Sequence, residues 1–325
     1  MPYAAPMDSA DSASALAWPL SMFDDPALEA DYQATRERFL KPPVLQQKGL
    51  LLLGSLALFA VAAIVQGSSL RNLVILVAVL FIHELGHYLG MLAFGYRDVT
   101  MFFVPLFGAA AAGRRGTVSQ TREAIVLLLG PGPGILLGVW IAVAAVILQS
   151  PLLKTISAYL VLINALNLLP IVPFDGGRLG ALLLFSRWAW TERLFVTVTT
   201  LALAAYGLLE GAYVLGVIGL FGLLMLPVRN RVMRVAAMFR RQEPPLVNDP
   251  ATLDDATARS LFLELRAVLP ANGHQPKPLA ECMAQALEAA AQRPPSLGMT
   301  LLISLAWGAV LVLAIVGVAI GTAVR

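Results

Sequence analysis

Residues 73–94 read LVILVAVLFIHELGHYLGMLAF, an apolar run with His83-Glu84-Leu85-Gly86-His87 embedded in it. Twenty or so apolar residues are enough for one helix to cross a bilayer. On a helix, residues four apart share a face, so His83 and His87 present both imidazoles to one point, one turn from each other. Glu84 stands between them, in the place of a general base toward water. Ionisable groups inside a span are costly and mark functional or paired positions. The chain has three histidines, and two of them share this spacing. That weighs against a pair of core imidazoles satisfied by backbone carbonyls.

The composition agrees with a membrane setting. The chain is 58% hydrophobic and 13% charged, against about 25% charged in soluble domains. Seven spans are expected, at about 49–66, 70–94, 122–149, 152–169, 193–209, 211–227 and 298–323. A shorter apolar piece, about 178–190, cannot cross alone and reads as a continuation of the fourth span after a break. Basic residues alternate between the loops. Arg36, Arg38, Lys41 and Lys48 precede the first span, and Arg97, Arg114, Arg115 and Arg122 flank the 95–122 loop. Arg178, Arg187 and Arg193 follow the fourth span; Arg229, Arg231, Arg234, Arg240 and Arg241 follow the sixth. The opposite loops hold only Arg71, Lys154 and Glu210. The N-terminus is therefore expected in the cytosol and the C-terminus outside. The basic balance is thus a topology signal and not one for nucleic acid. The start shows no signal peptide, and the first span is expected to direct insertion. The lone Cys282 excludes an intramolecular disulfide.

Four regions follow: a cytosolic N-terminal arm (1–48), a membrane core of about six spans (49–227), a cytosolic helical segment (228–297) and a C-terminal transmembrane anchor (298–325). In the arm, Asp25-Pro26 opens a helix through about Phe39, with Asp25 as N-cap. In the third region, helices are expected over Asp254–Leu269 and Leu279–Gln292. The segment reads as a tether for the last span in preference to a small regulatory unit. His274 reads as solvated.

A catalytic zinc site takes three protein ligands and leaves a position for water. A third His at the next metzincin position fails, because Ala93 stands there. Glu123 and Asp98 are short-range carboxylates. Asp175 lies in Asn167-Leu-Leu-Pro170-Ile-Val-Pro173-Phe-Asp175-Gly176-Gly177. Two prolines and two glycines break a helix there, and such breaks are tolerated at depth where backbone lines a protein-enclosed or watery cavity. The second and fourth spans both run outside to inside, so His83, His87 and Asp175 fall at similar depth toward the cytosol.

His83-Glu84-x-x-His87, followed by Asn-x-x-Pro-x-x-Pro-x-Asp-Gly-Gly, resembles the site-2 protease family of intramembrane zinc metalloproteases over roughly residues 70–190. The resemblance implies an all-α polytopic membrane protein, with a site-2 protease-like helical core and a short membrane-associated β-hairpin or re-entrant loop. It implies one Zn2+ per chain on His83, His87 and Asp175, with Glu84 as general base and Asn167 binding the substrate backbone or oxyanion. The β-prone stretch 99–113 resembles the family's hairpin, and Phe102, Phe103 and Val104 would hold an extended substrate there by strand pairing. Where the family often has Gly-Pro-x-x-Asn, this chain has Gly130-Pro131-Gly132-Pro133-Gly134. Gly130, Gly134 and Gly138 are expected to serve close helix packing.

The activity implied is hydrolysis of peptide bonds in single-span membrane proteins near the cytosolic side of the bilayer, in a bacterial inner membrane. The alternative is a catalytically silent zinc-binding scaffold that binds client helices. A metal transporter is disfavoured by the scarcity of polar residues in 49–66, 193–209 and 211–227. Residues 1–48 and 228–325 are the places where a regulatory protein or a second copy would dock.

Overall fold

A computed structural model of the 325-residue chain describes residues 20–40, 69–104, 108–114, 119–185, 187, 189–241 and 246–323, with residues 54, 56, 57 and 61 besides. The chain divides into two compact units, one of residues 44–227 and 293–325, the other of 1–43 and 228–292.

The larger unit is helical. Helix α2 (Leu70–Ala93) opens at Ser69, whose hydroxyl accepts from the Asn72 N–H, and buries Val79, His83, His87 and Gly90 along one stripe. Its other faces show Phe81 and Leu89, which are 42% and 55% exposed. Apolar side chains left this open suit lipid, not water. The chain then forms an antiparallel hairpin, β1 (Arg97–Val104) with β2 (Gly108–Arg114), pairing Met101 with Ala111 and Phe103 with Ala109. Helices α3 (Gln120–Leu129) and α4 (Pro131–Ile147) follow, parted at Gly130. After α5 (Pro151–Asn167) the chain leaves helical structure until α6 (Asp175–Gly180), which runs on into a π-turn, Ala181–Phe185. The unit closes with α7 (Ala189–Leu209), the first part of α8 (Tyr213–Phe239) and α11 (Leu297–Ala323).

Among the described residues, five stretches are long and apolar enough to cross a membrane: Leu70–Ala93, Gln120–Ile147, Trp190–Leu209, Leu215–Phe239 and Leu297–Thr322. Helix α5 is shorter, at 17 residues. The chain is an all-α polytopic membrane protein. The expected first span, 49–66, lies outside the described residues apart from four positions. The expected third span is two helices, because Pro131 has no N–H with which to continue the first. The sixth was expected to stop at Pro227, yet α8 passes through it. Packing outweighs the lost hydrogen bond, since Val232, Val235, Ala236 and Phe239 beyond the proline are buried. The apolar piece at 178–190 does continue the chain after the break, as α6 and the π-turn.

The smaller unit brings the N-terminal helix together with residues 228–292 around its own core. Helix α1 (Pro26–Leu40) begins where the Asp25-Pro26 signal places it, with the Asp25 carboxylate accepting from the Ala27 N–H at 3.0 Å. It packs with the end of α8, α9 (Asp255–Val268) and α10 (Pro276–Ala291). Tyr32, Phe262, Leu265, Leu279, Met283 and Phe239 are nearly inaccessible to solvent. The Tyr32 ring meets Phe23 and Phe262 edge-on at 5.3 and 5.5 Å. Arg259 lies over Phe23 and Tyr32 while bonding Glu29 of α1. Residues 255–291 are therefore part of a packed core, and the reading of 229–297 as a mere tether gives way. That reading missed that α1, over 200 residues earlier, supplies the other half of the core. His274 is half-buried, and its Nε2 faces the Leu269 carbonyl at 3.1 Å.

The hydrogen bond from Arg259 holds the Glu29 carboxyl below its ordinary 4.5. A depressed carboxyl contributes stability that is present above that value and lost as the pH falls through its folded pKa. The aromatic cluster gives a sharper test. Phe262→Ala should cost about 3–5 kcal/mol. Limited proteolysis of the full-length protein should then cut within 255–291 under conditions where the wild type resists, with α2–α5 untouched.

Candidate functional site

Two elements far apart in sequence meet at one buried point. Helix α2 brings His83 and His87, and the first residue of α6 brings Asp175. The His83 and His87 Nε2 atoms are 3.2 Å apart, and Asp175 Oδ2 lies 3.2 Å from the first and 3.0 Å from the second. All three side chains are more than nine-tenths buried as residues, as is Glu84. Glu84 Oε1 stands 4.0 Å from His83 Nε2, at the edge of the cluster.

The hydrogen bonds behind the imidazoles decide which nitrogens face the centre. Asn164 of α5 donates its amide N–H to the Leu160 carbonyl at 2.7 Å, so its Oδ1 is the atom that meets His83 Nδ1 at 2.8 Å. An amide oxygen only accepts, so His83 Nδ1 carries its proton. His87 Nδ1 meets the Val126 carbonyl at 2.9 Å and carries its proton for the same reason. Val126 lies in the last turn of α3, where carbonyls are released from pairing within the helix. In their neutral form both imidazoles thus turn an unprotonated Nε2 toward each other and toward a carboxylate. One proton can bridge one of these pairs, not all three. A cation answers all three at once. Ligand atoms about 2.0–2.1 Å from a tetrahedral zinc stand about 3.3 Å apart, which is the size of this triangle. The residues fit a zinc ion, and among the described residues they are the one group of three or more His, Cys, Asp or Glu side chains close enough to hold a metal.

Absent side chains make the convergence possible. A Cβ on Gly130 would lie 2.2 Å from His87 Nε2. A Cβ on Gly134 would lie 2.3 Å from the Asn164 amide nitrogen. The glycine expected only to favour packing therefore makes room for a polar group from the neighbouring helix. Where the resembled motif has Asn, the space at Gly134 is taken by the Asn164 amide.

The other expected site residues are placed as follows. Glu123, an alternative third carboxylate, stands apart from the cluster and faces Arg178, its Oε1 4.0 Å from Nη2. Asn167 ends α5 half-buried and donates to the Ile163 carbonyl of its own helix at 3.1 Å, outside the cluster. Phe102, Phe103 and Val104 lie in β1, opposite Ala110, Ala109 and Gly108. Asp98 also lies in β1. Sequence reading missed Asn164. The available signal was an amide within an apolar span, seven residues after Ser157 on the same helix face; Ser157 also bonds across to α4, at the Gly138 carbonyl.

No protein-family model matches the chain. Two curated proteins are distantly similar to it. Stage IV sporulation protein FB of Bacillus subtilis is 31% identical over 120 residues, 36% of this chain and 41% of that protein. Zinc metalloprotease MJ0392 of Methanocaldococcus jannaschii is 25% identical over 195 residues, 54% of this chain and 57% of that protein. The chain thus spans about half the length of these curated relatives.

Proposed function

We propose that the protein is an intramembrane zinc metalloprotease of the site-2 protease type, which hydrolyses peptide bonds of single-span membrane proteins. The observation that carries this reading is the triangle of His83 Nε2, His87 Nε2 and Asp175 Oδ2, buried within apolar helices. The name of the Methanocaldococcus relative points the same way.

His83, His87 and Asp175 would hold the zinc. When bound, zinc would supply Lewis acidity, lowering the pKa of a coordinated water toward neutrality and polarising a carbonyl. Asn164 and the Val126 carbonyl keep the two imidazoles in the tautomer that ligates. Glu84 takes the proton from the attacking water and passes it to the leaving amine. Asn167, at the end of α5, donates to the substrate backbone or to the developing oxyanion. The hairpin presents main-chain groups to an unwound substrate, with Phe102, Phe103 and Val104 on the strand that receives it. A helical substrate hides its scissile carbonyl, so a strand partner that holds it extended is part of the chemistry.

The site would lie toward the cytosolic side of the membrane, with the N-terminus in the cytosol. The charge pattern supports this orientation, and the smaller unit supports the number of crossings. The basic residues alternate between loops as described. Also, α1 and residues 228–292 share one compact unit, so the chain between them crosses the bilayer an even number of times. Five crossings are supplied by α2, α3–α4, α5, α7 and α8; the expected span at 49–66 would be the sixth. A bacterial inner membrane is the setting this topology fits. The smaller unit and α11 are the surfaces proposed for a regulatory partner or a second copy.

Two outcomes are expected. In co-expression with a membrane-tethered reporter that the wild type cleaves, Glu84→Gln should abolish cleavage while zinc content stays near one per chain. Cleavage retained by this variant would contradict the protease reading and leave a zinc-bearing scaffold. Asn164→Ala should weaken zinc affinity by about 10–100-fold, measured by chelator competition on detergent-purified protein, since His83 loses the acceptor that fixes its tautomer.

A further inference from the structure

We propose that Trp307 of α11, far beyond the region that carries the resemblance, is a positioning residue for the site. Its indole N–H fixes the backbone on which Asp175 is seated. The proposal rests on reading His83, His87 and Asp175 as a metal site.

Trp307 Nε1 donates to the Leu168 carbonyl at 3.0 Å, and both residues are buried. Leu168 caps α5, its N–H reaching back to the Asn164 and Ala165 carbonyls. Its own carbonyl belongs to a helix end, where no later N–H of the helix is available. In apolar surroundings such a carbonyl is costly unless something donates to it. α11 is apolar along nearly its whole length, and Trp307 is the residue that supplies the donor.

The same carbonyl is the seat of α6. A Cβ on Gly176 would lie 2.0 Å from Leu168 O, so backbone rests directly on backbone with no side chain between. Asp175 is the residue before Gly176. The far edge of the indole reaches the other end of α6, where a Cβ on Gly180 would lie 3.6 Å from Trp307 Cη2. One side chain therefore touches the end of α5, which carries Asn164 and Asn167, and the short helix that carries Asp175. A second tie holds the start of α11 to the same stretch of chain. Arg187, just after the π-turn, donates to the Pro295 carbonyl at 2.8 Å and to Thr300 Oγ1 at 3.1 Å. α11 thus grips the break in the α5–α6 path on both sides. This gives the last helix a role in the site that an anchor would not have.

The test separates positioning from general packing. Trp307→Phe keeps an aromatic ring, removes the donor and shortens the side chain. Ile303→Ala opens the same buried face of α11 one turn earlier, where the side chain packs in the same apolar cluster but makes no bond to Leu168. Chelator competition for zinc and thermal unfolding are measured on the full-length protein in detergent. Trp307→Phe should lower zinc affinity about tenfold or more. Ile303→Ala should lower the melting temperature with affinity close to wild type. Wild-type affinity in Trp307→Phe overturns the proposal, and so does an equal loss in Ile303→Ala. A wild type that takes up no zinc overturns the underlying site reading instead, and this proposal with it. If Trp307→Phe does not fold, the wild type still decides. Stripping zinc should speed hydrogen exchange of the Trp307 indole N–H, because coupling between two sites is reciprocal. Unchanged exchange overturns the proposal.

Discussion

Three electron-pair donors meet within 3.2 Å inside an apolar helical unit, and the rest of the larger unit can be understood as what it takes to keep them there. Like partial charges in a medium of low dielectric repel strongly unless a cation stands among them. The protein fixes this arrangement with acceptors behind both imidazoles: an amide oxygen of α5 for His83 and a helix-end carbonyl of α3 for His87. Both deny the outer nitrogen any option but to carry a proton. Tautomer, and with it the chemistry, is set by groups that never touch the centre.

Close backbone approach is the second requirement. Helices normally pack 8–10 Å apart, too far for second-layer groups of one helix to meet ring nitrogens of another unless side chains are absent. Gly130 and Gly134 provide that absence at the two places where α3–α4 borders His87 and Asn164. The broken segment between α5 and α6 provides the third ligand, and α11 satisfies the carbonyl which the break exposes. The smaller unit is held by a separate device, an aromatic cluster with Arg259 laid across it and bonded to Glu29.

The periodicity of the first motif made much of this legible. The spacing of His83 and His87 announced a shared helix face, and the orientation argument put Asp175 at the same depth; the structure brings the three together. Glu123 could not be set aside from sequence, because its pairing toward Arg178 is a tertiary fact. Asn164 was invisible beside Asn167, which carries the motif, and Gly134 gave no hint of what fills its space. Trp307 was illegible because a lone indole in a span reads as an ordinary apolar or interfacial residue. The two halves of the smaller core are over 200 residues apart in sequence. Local patterning could mark each helix, such as α1 behind Asp25-Pro26, but not their meeting.

The central claim is that the buried triangle is a zinc site made of two imidazoles and one carboxylate. X-ray absorption at the zinc edge, on wild-type protein purified in detergent, tests it most directly. The account predicts about one zinc per chain with nitrogen and oxygen neighbours at about 2.0–2.2 Å and the multiple-scattering signature of two imidazoles. A shell containing sulfur, a shell of oxygens without imidazole, or protein that takes up no zinc would contradict it.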